Sequence, residues 1–144
     1  MCRVFYKGKV NLKKKINILS YGVNQMGDSS GKYPGMHAEH NAISKLLPLK
    51  RKKKREIISI LVIRLSPKNK LQSSKPCVNC IQVMKTLPDK LGYKIQNVYY
   101  SNSDETIVKT TLEQLEYEEK HYSGFYRRLN KDKDKDKDKN KNNL

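Results

Sequence analysis

Apolar and polar residues alternate over Cys2–Lys7, and a stretch rich in β-favouring residues follows at Ile16–Val23. The chain therefore opens as two strands of a hairpin joined through Gly8–Lys15. Asn24–Gly35 carries Gly27, Gly31, Pro34 and Gly35 among polar residues and reads as a loop. From His37 onward, Ala38, Ala42, Ile43, Leu46 and Leu47 recur at helical spacing and stop before Pro48, which predicts a short helix. Leu49–Arg55 is a basic connector. Glu56–Ser66 concentrates Ile57, Ile58, Ile60, Leu61, Val62 and Ile63, the pattern of a buried strand at the centre of a sheet. After a polar loop, Pro67–Lys75, a second helix opens at Cys77, runs through Ile81, Val83, Met84 and Leu87 and stops at Pro88. Ile95–Ser101 reads as a strand and Thr106–Thr110 as a short one. The signal is mixed beyond them: Leu112, Leu115, Phe125 and Leu129 fit a helix, but Ser123 and Gly124 interrupt it.

Alternating strands and helices in 144 residues describe one α/β domain with a single core, expected to span residues 1–130. Residues 131–144 are expected to be a disordered tail. Lys131–Lys139 alternates Lys with Asp and holds no apolar residue, so it has no face to bury. The longest apolar run, Ile57–Ile63, is interrupted by Ser59 and falls well short of the ~20 residues that a bilayer-spanning helix requires, so no membrane partner is expected. No signal-peptide pattern precedes it, which makes an intracellular, cytoplasmic protein the expectation.

Charge adds a second layer. The formal net charge is +17, and the tail from Lys131 to Leu144, with six lysines and four aspartates, leaves +15 on the body. Lys13–Lys15 and Lys50–Arg55 are the densest basic runs. Such a field attracts polyanions and phosphorylated ligands without specifying any base, so nucleic acid stands as an alternative partner to a small molecule. Platforms for stacked bases are few: there is no Trp and only two Phe, although Tyr33, Tyr99 and Tyr100 are present.

Two motifs carry the chemistry, His37-Ala38-Glu39 and Pro76-Cys77-Val78-Asn79-Cys80. One imidazole and two thiolates fill three positions of a tetrahedral zinc site and leave the fourth for water. Glu39, two residues past His37, is then an acid free to act on that water. A closed structural site is the other reading of the same residues, with His40 or Cys2 as fourth ligand, but it gives Glu39 no task. Three cysteines cannot all pair, which favours a reducing compartment.

The H-x-E and P-C-x-x-C pair resembles the cytidine and deoxycytidylate deaminase superfamily over Cys2–Ser101. The resemblance implies a three-layer cytidine-deaminase-like α/β fold, with a mixed sheet of about five strands and the two metal-binding helices on one face. It implies Zn2+ on His37, Cys77 and Cys80, and Glu39 as the catalytic proton carrier. Asn24, in Ser20-Tyr21-Gly22-Val23-Asn24, matches the family's sugar-binding asparagine, and the Ala38 backbone N–H would meet the base. The implied activity is hydrolytic deamination of a cytosine nucleoside or nucleotide, a hydrolase reaction at a cyclic amidine C–N bond in nucleotide metabolism. Deamination of a base within RNA or single-stranded DNA is the alternative, and a non-catalytic zinc protein of the same fold is a third. Homo-oligomers are common in the superfamily. The family's third strand usually leads directly into its P-C motif, whereas here Ser66–Lys75 intervenes, which points to a different substrate mouth. His121 reads as structural or exposed.

Overall fold

A computed structural model describes residues 17–27, 35–50, 54–118 and 120–128, together with the backbone of residues 2–6. The segment Gly8–Lys15, Tyr33, Lys13–Lys15, much of the Lys50–Arg55 run and the tail 131–144 lie outside the described residues, as does the side chain of Cys2.

The fold is α/β. Strands β1 (Cys2–Tyr6) and β2 (Asn17–Gly22) pair antiparallel, as their alternation predicts. Helix α1 (Ala38–Ser44) follows, then β3 (Glu56–Val62) and two short strands, β4 (Arg64–Leu65) and β5 (Leu71–Gln72). Helix α2 (Val78–Lys90), β6 (Tyr93–Ser101), β7 (Ile107–Thr110) and α3 (Leu112–Tyr117) complete the order. A further helical turn spans residues 124–128. The main sheet runs β2-β1-β3-β6-β7, with β3 at its centre, where the density of isoleucines put it. β3 and β6 are parallel and the other neighbours antiparallel, so the sheet is mixed. Parallel neighbours need a long crossover, and α2 provides it.

Ile58, Ile60 and Val62 of β3 pair with Ile95, Val98 and Tyr100 of β6, and all six are buried beneath the helices. The step from Ile95 to Val98 would break a strict two-residue alternation. A bulge between Ile58 and Ser59, across from Gln96, restores it, and both β6 residues point inward. α1 packs on β2, β1 and β3, α2 packs on β6, and the two helices touch each other, so both sit on the same side of the sheet.

Several element boundaries differ from the sequence expectation. α1 ends at Ser44, because the N–H groups of Lys45 and Leu46 reach back only three residues, to the carbonyls of Ala42 and Ile43, and tighten the last turn. Leu46 consequently enters the core, while Leu47 is 80% exposed. α2 does not stop at Pro88 but runs on to Lys90. Proline removes one helical hydrogen bond, yet here it lies in the last turn and its ring is fully buried, so packing offsets the loss. β3 is shorter than Glu56–Ser66: the chain leaves the sheet after Val62, and the polar loop contains β5, which pairs with β4 as a separate two-stranded hairpin. α3 starts with a reciprocal capping box between Thr111 and Gln114, a T-x-x-Q signal in the sequence that accounts for its position.

Candidate metal centre and its cleft

The two chemical motifs occupy equivalent places on their helices. His37 is the N-cap residue of α1 and Cys77 the N-cap of α2, both with extended backbone and neither using its side chain as a cap. Each is thus freed to project away from the helix it starts. Cys80 then falls in the first turn of α2, back on the same side as Cys77. The contact between the helices brings the three together: Nδ1 of His37 lies 3.5 Å from Sγ of Cys77 and 3.3 Å from Sγ of Cys80. All three ligand atoms lie within 4.8 Å of one another, and the group can hold a metal ion.

The spacing tests the fit. Metal–sulfur and metal–nitrogen lengths typical of zinc, at a tetrahedral angle, separate N from S by about 3.6 Å. The observed separations agree, so the donor set fits a tetrahedral ion with one position left over. His40, the fourth ligand of a closed site, does not belong to this cluster among the described residues and instead lines a neighbouring groove.

Electrostatics point the same way. The Cys77 thiol is held well below its usual range by hydrogen bonds from Cys80 and His37, with the N-terminal end of α2 adding to the effect. His37 is raised in turn, chiefly by its hydrogen bond to Cys77. The Cys80 thiol is pushed up by that shared hydrogen bond and by burial. A bound cation would favour the thiolate form of both cysteines by displacing their protons.

Glu39 is 6% exposed and follows His37 into the first turn of α1. Burial raises its carboxyl above the ordinary carboxylate range, opposed by backbone hydrogen bonding and by the nearby His37. It also shares a hydrogen bond with the Cys80 side chain. A carboxyl in this position, beside the ligand cluster, can exchange a proton with a molecule bound there.

A cleft of about 410 Å3 opens over the cluster. Asn24, His37, Ala38, Glu39 and Cys77 line it together, so the structure gathers the two substrate-binding candidates at the metal cluster. Those two are each other's partners: the Asn24 side-chain oxygen accepts the Ala38 N–H at 2.9 Å and pins the loop after β2 to the start of α1. The remaining wall comes from Val62, Ile63, Arg64 and Leu65, at the carboxyl end of the central strand, from Ser73–Lys75, and from His121 and Ser123. An opening at the carboxyl end of a parallel strand is where ligands enter open α/β sheets.

Sequence reasoning did not single out Arg64 or Ser73, and it read His121 as structural or exposed. His121 is exposed and also lines the cleft, because its carbonyl accepts the first N–H of α2, from Val78, at 2.9 Å. No local pattern announces that contact. Of the tyrosines considered as platforms, Tyr100 is buried in the core and Tyr99 half-buried, and neither lines the cleft. No helix among the described residues is long and apolar enough to cross a membrane. Compared with protein-family models, curated proteins and solved structures, the chain matches none.

Proposed function

We propose that this chain is a zinc-dependent hydrolytic deaminase of cytidine-deaminase-like, three-layer fold, acting on a cytosine nucleoside or nucleotide. One observation carries the reading: a His/Cys/Cys cluster with tetrahedral spacing beside a buried glutamate outside the ligand set, with His37, Cys77 and Glu39 lining a cleft of small-ligand size. A structural metal site does not call for Glu39, whereas hydrolysis does.

His37, Cys77 and Cys80 would hold a zinc ion, which would supply Lewis acidity for activating a water near neutral pH. The protein's own part is proton transfer and orientation. Glu39 takes a proton from the attacking water and delivers it to N3 of the pyrimidine ring. A second transfer to the exocyclic nitrogen releases ammonia and leaves a carbonyl at C4, so one water is consumed for each amine lost. The Ala38 N–H is already taken by the Asn24 side-chain oxygen, so the Asn24 NH2 is the group of this pair that orients the sugar. Burial raises the Glu39 carboxyl above its ordinary range, which makes its carboxylate a stronger base toward water.

Deamination of a base in RNA or single-stranded DNA is the second reading. A separate groove of about 490 Å3, lined by Met36, His40 and Tyr126, shares His37 and Ser123 with the first and has room for a neighbouring nucleotide. Ammonia release decides between them. A panel of cytosine and adenine nucleosides, nucleotides and short oligonucleotides is assayed alongside metal content and a Glu39→Ala variant. Turnover of cytidine or its monophosphate, lost in the variant, is the expected result. A metal-loaded protein inert toward the whole panel refutes the enzyme and leaves a zinc-binding protein of the same fold.

A further inference from the structure

The outer part of the cleft is built by two segments that the metal motifs do not require: the β4–β5 hairpin and the stretch around His121. The hairpin is fastened to the sheet by two serines. The buried Ser101 hydroxyl donates to the Gln72 carbonyl at 2.7 Å and accepts the Arg64 N–H at 3.1 Å. The Ser74 hydroxyl donates to the Val62 carbonyl at 2.9 Å and lies 2.8 Å from the Ser101 hydroxyl. Arg64 therefore has a fixed backbone at the end of the central strand, and the residue is exposed at the cleft.

The basic side chains of the cleft gather at this end. Arg64, Lys75 and His121 line the cleft, and Glu39, on the metal side, is its only carboxylate among the described residues. Lys75 is paired with Glu118 at 2.7 Å, which offsets its charge. Arg64 is left as the cation lining the opening, with the Ser73 hydroxyl and the His121 imidazole as further hydrogen-bonding groups on the same wall. A guanidinium with adjacent N–H and O–H donors is the chemistry that recognises a phosphate ester. A cavity of about 410 Å3 has room for more than a bare base.

We propose that Arg64, assisted by His121, binds the phosphate of the substrate nucleotide, so that the enzyme acts on a phosphorylated cytosine nucleoside in preference to the free nucleoside. The proposal rests on the deaminase reading for what lies against Glu39. The arginine is a specificity determinant and takes no part in proton transfer. An exposed charge with a rigid base draws anionic ligands toward the cleft, and the chain's net positive charge reinforces it.

The test is calorimetric titration of the full-length, metal-loaded protein with cytidine, cytidine 5′-monophosphate and a short cytosine-containing oligonucleotide, with ammonia release followed in parallel. Arg64→Ala, Arg64→Lys and His121→Ala are compared with wild type, and Arg55→Ala, on the far surface where Arg55 pairs with Asp89, serves as the control. The expected result is a selective loss. Arg64→Ala weakens monophosphate binding on the order of 10- to 100-fold, the range of a charge-assisted hydrogen-bonding group, and leaves cytidine binding unchanged. Arg64→Lys recovers part of it, and His121→Ala loses less in the same direction.

Equal affinity for cytidine and its monophosphate in wild type overturns the proposal, as does equal weakening of both by Arg64→Ala. Turnover of both without phosphate preference sinks the phosphate site and leaves the deaminase reading intact. An Arg64-dependent preference without any turnover does the reverse. Tighter binding of the oligonucleotide than of the monophosphate, with the same dependence on Arg64, overturns the mononucleotide and assigns the site to a strand phosphate.

Discussion

Gly22, the last residue of β2, is the position where a single methyl group should disturb both fold and metal centre. α1 crosses so closely that a Cβ there would stand 2.3 Å from the Ala38 carbonyl oxygen and 2.4 Å from the Ala42 nitrogen. Both obstacles are backbone, so no rotamer change relieves them. Non-bonded atoms settle near 3.5 Å, and α1 would have to retreat by about 1 Å. Three hydrogen bonds hold the helix at its present distance: Ser20 Oγ to the Ala42 carbonyl at 2.8 Å, the Val23 N–H to Asn41 Oδ1 at 3.3 Å, and the Ala38 N–H to Asn24 Oδ1 at 2.9 Å. Overpacking of this kind costs about 1–3 kcal/mol, and weakening two or three such bonds adds about 1 kcal/mol or more. Gly22→Ala is therefore expected to lose roughly 3 kcal/mol, which for a domain of this size lowers the melting temperature by about 10 °C. Its functional consequence follows from His37 capping the displaced helix, since metal ligands tolerate only about 0.2 Å of error. Urea unfolding measures the first effect and competition with a chromophoric zinc chelator the second. A wild-type unfolding midpoint would refute the close-approach argument. A destabilised protein with undiminished metal affinity would refute the link from strand to ligand.

Other substitutions probe the remaining parts of the site. Ser101→Ala removes a fully buried hydroxyl that serves the Arg64 N–H, the Gln72 carbonyl and Ser74, and should cost about 1–3 kcal/mol by unfolding while loosening the hairpin, seen as faster amide exchange at Arg64. Unchanged exchange would show that the serines do not hold the hairpin. Chelation of the metal should lower the unfolding free energy by about 3–4 kcal/mol at metal concentrations of 100 to 1,000 times the dissociation constant, and Cys77→Ala should abolish that difference. His40→Ala should retain full metal stoichiometry by elemental analysis, since His40 stands outside the ligand cluster, and loss of metal would revive a closed site. Glu39→Gln should keep metal and fold but reduce turnover roughly 10²- to 10⁴-fold, the usual contribution of a positioned acid and base. Retained activity would remove Glu39 from the mechanism.

The candidate metal-binding group was legible along the chain because its motifs are local. H-A-E and P-C-V-N-C each sit within one helical turn, and the apolar runs flanking them set two helices and a central strand by periodicity alone. What the periodicity missed depends on residues far apart. The bulge opposite Gln96 is a property of two paired strands, and Pro88 stays helical because the core takes up its ring. Leu47 shares the spacing of a core residue, yet a tightened last turn rotates it into solvent. Gly22 is needed because of where α1 lies, and His121 reaches the cleft through one backbone bond to Val78. Sequence thus determined which residues can hold a metal ion. Only the tertiary structure decided what faces them across the cleft, because contacts between distant segments are set by packing and hydrogen bonding that no single segment encodes.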